Sequence, residues 1–262
     1  MRPIVFCTDY GLGDEFVGVC HGVMQRIAPG VSVIDLTHAI GRQDVLQGAL
    51  VLGRAAAYMP ADAVYVAVVD PGVGGEREEI AVETGSGAFL VGPDNGLLSM
   101  AWAALGGPAR AVSITSDAVL LRPVSKTFHG RDVFAPAGAH LATGMRLDQL
   151  GSPLELGAME TRELPGPMVA PGKIGARVIG VDGFGNVQLN AGPDEIEHAG
   201  LGKRLTVAGH PAPVVAVFSD VPEQVLAAII DSQGFLALVV NRGSAASLLG
   251  LRPGATVMVE AG

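Results

Sequence analysis

The chain has little cysteine, few aromatic residues and few charges. Of its 262 residues only two are cysteines, Cys7 and Cys20, and they form no C-x-x-C pair. That excludes a disulfide framework and a thiol redox motif. Cys7 falls in an expected strand and Cys20 on the apolar side of an expected helix, so both read as buried free thiols of a reducing, cytoplasmic compartment. Aromatic residues make up 5% and charged residues 16%, against 49% hydrophobic residues. This is the composition of a folded globular chain, not a disordered one. Lys and Arg number 17 against 26 Asp and Glu, a formal net charge of −9. Phosphate backbones are held by an excess of cations, so nucleic acid is not an expected partner; a neutral or cationic small molecule fits better. No apolar run approaches the ~18 residues of a membrane span. The first acid, Asp9, comes too early for a signal-peptide core, so no membrane association is expected.

Several catalytic signatures are also missing. There is no G-x-S-x-G and no P-loop, which leaves serine-nucleophile and phosphoryl-transfer chemistry without support. The six histidines show no H-x-H or H-x-x-x-H spacing, so neither a metal site nor a cofactor is expected. His21 reads as surface on the polar face of a helix, His38 follows a strand, His140 sits inside a helix, and His198 and His210 lie in turns. A dinucleotide fingerprint is incomplete. Gly11 and Gly13 follow a strand and Asp35 ends the next one, but Phe16 stands where the third glycine belongs. Asp9 and Asp14 flank that turn, and two carboxylates there would repel a pyrophosphate. They suit ribose hydroxyls and an ammonium or sulfonium group instead.

What is present begins with alternating strands and helices. "PIVFCTD", "VSVIDLTHAI" and "AVYVAVVD" read as buried strands. Helices are expected over 14–28 and 44–58, the first starting at Asp14 and stopping at Pro29-Gly30. "EIAVETG" and "AFLVGPDN" form a hairpin pair around Ser86-Gly87. "GLLSMAWAAL" reads as a helix, "RAVSIT" as a strand, and "GRDVFAPAGAHLATG" as a helix whose proline kinks it or marks its first turn. Successive β-α units give an α/β fold with helices on the faces of a mostly parallel sheet. Past residue 160 the pattern changes. "KIGARVIGVD", "NVQLN", "KRLTVAG", "PVVAVF", "GFLALVVN" and "ATVMVE" are short strands between turn signals, the mark of a small barrel or sandwich. The expected organisation is an α/β domain over 1–162, a linker over 163–172, and a smaller barrel-like all-β domain over 173–262.

Ligands of open α/β sheets gather beyond the carboxyl ends of the strands. Here Asp9, Asp70 and Asp94 each end a strand, so one sheet edge should be lined with carboxylates. Each acid is also a plausible turn or helix cap. His129, at a helix start beside Gly130, is open to either a structural or a functional role.

In this order, "TDYGLGDEFVG", "DLTHAI", "VDPGVGGER", "GPDNGLL", "TFHGRDVFAPAGAHL", "DGFGN" and "NRGSAASLLGL" resemble the S-adenosyl-L-methionine (SAM) hydroxide adenosyltransferases. These are the adenosine-forming SAM hydrolases, related to fluorinases and chlorinases, and the resemblance spans nearly the whole chain. It implies hydrolysis of SAM to adenosine and L-methionine, and a homotrimer whose active sites lie between the N-terminal domain of one subunit and the C-terminal domain of the next. It implies a catalytic Asp-Arg-His set at Asp70, Arg77 and His129, which the halogenating relatives lack. By the same resemblance Asp9 holds the ribose diol; Asp14, across the turn, is a further substrate-binding candidate from its carboxylate alone. Asp182, Phe184 and Asn186 form the C-terminal side of the pocket, Phe218 and Asn241 face the adenine, and Ser232 lies near the methionine end. Gln43 and Gln233 differ from the halogenases. The alternatives are a SAM- or adenosine-binding protein with little turnover, and a halide-using adenosyltransferase.

Overall fold

The computed structural model describes residues 1–262. The chain divides into two compact units, Met1–Glu163 and Leu164–Gly262. No helix is long and apolar enough to cross a membrane.

The first unit runs β1 (Ile4–Thr8), α1 (Phe16–Ile27), β2 (Val33–Thr37), α2 (Val45–Ala56), β3 (Val64–Val68), β4 (Glu79–Thr84), β5 (Phe89–Pro93), α3 (Ser99–Ala104), β6 (Pro108–Ile114), α4 (Ala135–Ala142) and β7 (Gly151–Pro153). Its seven strands form one sheet in the order β2-β1-β3-β5-β4-β6-β7. β1 pairs in parallel with β2 and β3, and β3 with β5. Parallel neighbours need a crossover, and α1 and α2 supply two of them. The β4–β5 hairpin reverses the direction, so β4, β6 and β7 pair antiparallel. Alternate residues of each central strand face two separate cores. Ile4, Phe6, Val64 and Val66 meet Cys20, Met24 and Leu141; Val5, Cys7, Tyr65 and Ala67 meet Leu52, Leu97 and Trp102. Burial on both faces is why these strands read as unbroken apolar runs. Burial also pushes the Cys7 and Cys20 thiols up to about 12, so both stay protonated and inert.

Local chemistry sets the element ends. Asp44 caps α2 by accepting the Gln47 N–H at 2.9 Å. α1 starts at Phe16 with Glu15 as its N-cap, not at Asp14. The stretch expected as one helix after His129 is a π-helical turn, Gly130–Phe134, that runs directly into α4 with Pro136 near its start.

The second unit runs β8 (Met168–Ala170), β9 (Lys173–Val181), β10 (Val187–Leu189), α5 (Pro193–His198), β11 (Arg204–Val207), β12 (His210–Pro213), β13 (Leu226–Ile230), β14 (Leu236–Val240), α6 (Ala245–Leu249) and β15 (Thr256–Ala261). The strands lie in the order β12-β11-β15-β9-β10-β14-β13, with β8 beside β9. Val214, just past β12, bridges to Ala228 of β13. The two ends of the sheet therefore nearly meet, and a barrel-like core of Ile174, Val178, Leu205, Leu238 and Val259 fills the inside. Three local expectations change. β8 falls within the stretch read as a linker. The strand expected at "PVVAVF" lies earlier, at His210–Pro213, and β13 joins the sheet unannounced.

Candidate active site

β1 and β3 are neighbours in register, with Thr8 opposite Val68, so Asp9 and Asp70 leave the sheet side by side. A cavity of about 130 Å³ opens at this edge, lined among others by Asp9, Tyr10, Gln43, Asp70, Thr127 and His129. Asp9 Oδ2 accepts the Gln43 N–H at 2.9 Å. Gln43 itself is held at φ 59°, a left-handed conformation that a non-glycine residue adopts at a cost of order 1–3 kcal/mol. The Tyr10 hydroxyl is raised well above its ordinary range by burial, then by Cys20 and the Asp9 and Asp70 carboxylates, so it stays neutral.

Asp70, Arg77 and His129 form one connected group. Arg77 donates from Nε to Asp70 Oδ1 at 3.0 Å and from its NH2 nitrogen to Asp70 Oδ2. The same NH2 lies 3.0 Å from His129 Nδ1. Glu79, the first residue of β4, completes the group. Its Oε1 accepts from the Arg77 NH1 nitrogen at 2.6 Å and lies 2.9 Å from His129 Nδ1. Burial works against the Arg77 charge, but the hydrogen bonds to Asp70 and Glu79 outweigh it and raise its pKa. The Asp70, Arg77 and His129 side chains are nearly buried, at 5%, 10% and 9% exposure. In such a setting charge-assisted hydrogen bonds are strong and well ordered. Glu79 carries no motif signal. It looks like the polar start of a strand, and its partners lie in a turn and on a distant loop.

Two glycines let the loops meet. Gly74, between Asp70 and Arg77, has φ +72°, and a Cβ there would sit 2.2 Å from the Lys126 carbonyl oxygen. The turn after β3 thereby packs directly on the loop that carries His129. A Cβ on Gly130 would fall 2.1 Å from the Tyr10 hydroxyl. Asp132 anchors this loop from below: its carboxylate accepts the Ser125 N–H at 2.8 Å, and Arg131 donates to it at 2.6 Å.

Asp94, just past β5, shares this edge because β5 runs parallel to β3, but neither it nor Asp14 lines the cavity. Asp94 Oδ1 accepts the Glu160 N–H at 2.9 Å, a structural tie outside the Asp9–Asp70 cavity. Asp14 is exposed in the turn before α1.

In the second unit a cavity of about 500 Å³ is lined by Phe184, Asn186, Phe218, Val240, Arg242 and Gly243. Three of these residues were singled out from the sequence. Asp182 shapes the loop that presents them, its Oδ1 accepting from the Phe184 and Asn186 N–H groups at 2.9 Å and its Oδ2 from Asn186 Nδ2 at 2.8 Å. Asn241 is tied to the Val221 carbonyl at 2.8 Å. Ser232 is exposed in the turn between β13 and β14. Gln233 lies in that turn too and lines a separate surface cleft. None of Asp182, Asn241, Ser232 and Gln233 lines the Phe184–Phe218 cavity.

The models of the SAM hydroxide adenosyltransferase N-terminal and C-terminal domains match residues 4–151 and 176–258. The curated (R)-S-adenosyl-L-methionine hydrolase of Salinispora arenicola is 49% identical over 99% of this chain and 98% of its own length. The protein of that name from Thermus thermophilus is 39% identical over 98% of this chain and 99% of its length. A fluorinase from Nocardia brasiliensis is 29% identical over 100% of this chain and 98% of its own. Among solved structures, an uncharacterized conserved protein from Thermotoga maritima superposes with a TM-score of 0.87 at 35% identity, covering 98% of this chain and 99% of that one. Both units match in order and the relatives match end to end, so the chain belongs to the SAM hydroxide adenosyltransferase family.

Proposed function

We propose that this chain hydrolyses SAM to adenosine and L-methionine by in-line attack of water at the ribose C5′. The observation that carries this reading is the linked Asp70–Arg77–His129 group beside a small polar cavity, in a chain related end to end to proteins named SAM hydrolases. The leaving group is a neutral thioether, so no general acid is required. The work lies in holding a water and taking its proton, for which general-base help contributes about 10²–10⁴ in rate. Arg77 engages both Asp70 oxygens, each of which keeps a lone pair to orient the water. The ring contacts of His129 are all at Nδ1, which leaves Nε2 for the nucleophile. We assign the proton to His129. With a neutral imidazole, two carboxylates and one guanidinium leave the group with one net negative charge; protonation of the ring brings it to zero, and Glu79 stands 2.9 Å from Nδ1 to share the second ring proton. Asp9 takes the ribose hydroxyls, and Phe184, Asn186 and Phe218 take the adenine side.

The proposal includes a cytoplasmic homotrimer. Two unpaired, protonated thiols fit a reducing compartment. Phe184 at 81% and Phe218 at 43% exposure offer apolar surface of the kind that subunits or ligands cover. The test of the reaction is turnover of SAM in ¹⁸O-water. Label is expected in the adenosine 5′-hydroxyl. Label in methionine, consumption that requires halide, or binding without product would overturn the reading.

A further inference from the structure

A second group of polar side chains lies on the same unit, outside the Asp9–Asp70 cavity. His21 on α1, Asp35 on β2 and His38 just past β2 are scattered in sequence, yet their ligand-type atoms all lie within 4.8 Å of one another. His21 Nε2 is 2.8 Å and His38 Nε2 is 3.2 Å from the same oxygen, Asp35 Oδ1. The His38 side chain is only 3% exposed. Its Nε2 is shielded from solvent and makes no hydrogen bond, although Asp35 Oδ1 lies 3.2 Å away. A buried nitrogen that makes no hydrogen bond is uncommon, and this one lies close to two further ligand-type atoms.

We propose that His21, Asp35 and His38 form a binding site for a late first-row divalent metal ion, with Zn²⁺ as the representative ligand. Two imidazoles and one carboxylate are a donor set this ion accepts, leaving a fourth position for water. Zinc bonds of 2.0–2.2 Å in a tetrahedron put neighbouring donor atoms about 3.3 Å apart. The two distances to Asp35 Oδ1 are within about half an ångström of that, and the two imidazole nitrogens, within 4.8 Å of each other, would close on the ion by side-chain rotation.

Two surrounding features fit a metal ligand. Metal-bound histidines commonly engage a partner through the second ring nitrogen, which fixes tautomer and orientation. His38 Nδ1 is 2.9 Å from Thr8 Oγ1, an oxygen able to accept that proton and leave the Nε2 lone pair free. The Phe6 ring packs edge-on against both imidazoles, at centroid distances of 5.7 Å to His21 and 4.8 Å to His38. Asp35 at 45% and His21 at 30% side-chain exposure give the ion a path from solvent. Spacing rules cannot find the site, because its residues come from a helix, a strand and a loop that only the fold brings together.

The experiment is calorimetric titration of the untagged, chelator-treated full chain with Zn²⁺, repeated with Mg²⁺. One equivalent of Zn²⁺ is expected to bind saturably in the micromolar range or tighter. Mg²⁺, which prefers oxygen ligands, should bind far more weakly. His21→Ala and Asp35→Asn, both at partly exposed positions, should each weaken Zn²⁺ binding by more than about tenfold, the loss that even an outer partner of a metal ligand causes. His38→Ala should do the same, but its burial makes the first two variants the decisive ones. Absence of saturable Zn²⁺ uptake, equal binding of Mg²⁺, or undiminished affinity in both His21→Ala and Asp35→Asn would overturn the proposal.

Discussion

At His129 one ring nitrogen meets two partners with opposite demands. The Arg77 NH2 group is a donor and favours a bare Nδ1, while Glu79 is an acceptor and favours a protonated one. Glu79 is therefore expected to act through His129. Glu79→Gln keeps an oxygen for Arg77 but removes the charge facing the ring. The substitution should lower kcat about tenfold, a difference of ~1.4 kcal/mol, with KM for SAM nearly unchanged; an unchanged kcat would assign Glu79 a purely structural role. His129→Ala should lower kcat by about 10²–10⁴ with SAM still bound. The residues of the Asp-Arg-His set stood out in the sequence through ordered motifs and a strand-end acid. Glu79 did not, since nothing in "EIAVETG" marks its first residue as more than a solvated strand start. Its role arises from tertiary contact with a loop 50 positions away.

At the scale of elements, the turn after β3 and the loop before α4 are joined at Gly74. Gly74→Ala places a Cβ against the Lys126 carbonyl and strains a backbone at φ +72°. It should cost about 2–4 kcal/mol of stability, read from the denaturation midpoint, and lower turnover by displacing Arg77 and His129 together. The end of β5 tests the opposite case. Burial raises the Asp94 carboxyl above its ordinary range. A carboxyl raised in the folded state favours folding below its unfolded pKa and loses that contribution as pH rises through the folded value. At neutral pH its charge opposes folding, while its Oδ1 still accepts the Glu160 N–H. Asp94→Asn keeps that acceptor, so its Tm at pH 7 should equal or exceed the parent's, with any advantage shrinking toward about pH 4. A lower Tm at pH 7 would contradict this account. The same scale shows what a sequence conceals. β1 and β3 are legible because burial on both faces leaves unbroken apolar runs. β12 is not, because Pro211 and Pro213 argue against a strand, yet β12 has only β11 as its partner along the sheet path, and an edge tolerates proline. The apolar run after it looks like a strand, but Val217 and Phe218 are exposed.

At the scale of the whole molecule, the proposed catalytic group belongs to the first unit and the aromatic cavity to the second. The proposed trimer requires each active site to draw on two subunits, which a mixing experiment can test. Asp70→Asn disables the first unit. Phe184→Arg, at a position 81% exposed and so tolerant for folding, places a long, hydrated cation in the aromatic cavity where the adenine is expected. Each variant alone should be nearly inactive. When the two are unfolded together and refolded as mixed trimers, a site that combines one subunit's first unit with its neighbour's second unit is intact whenever both halves are unaltered. That happens in about one site in four if subunits assemble at random around a ring. About a quarter of the parent rate should return, and should fall on dilution as the trimer dissociates. If each site were built within one chain, every site would carry one lesion or the other and no activity would return.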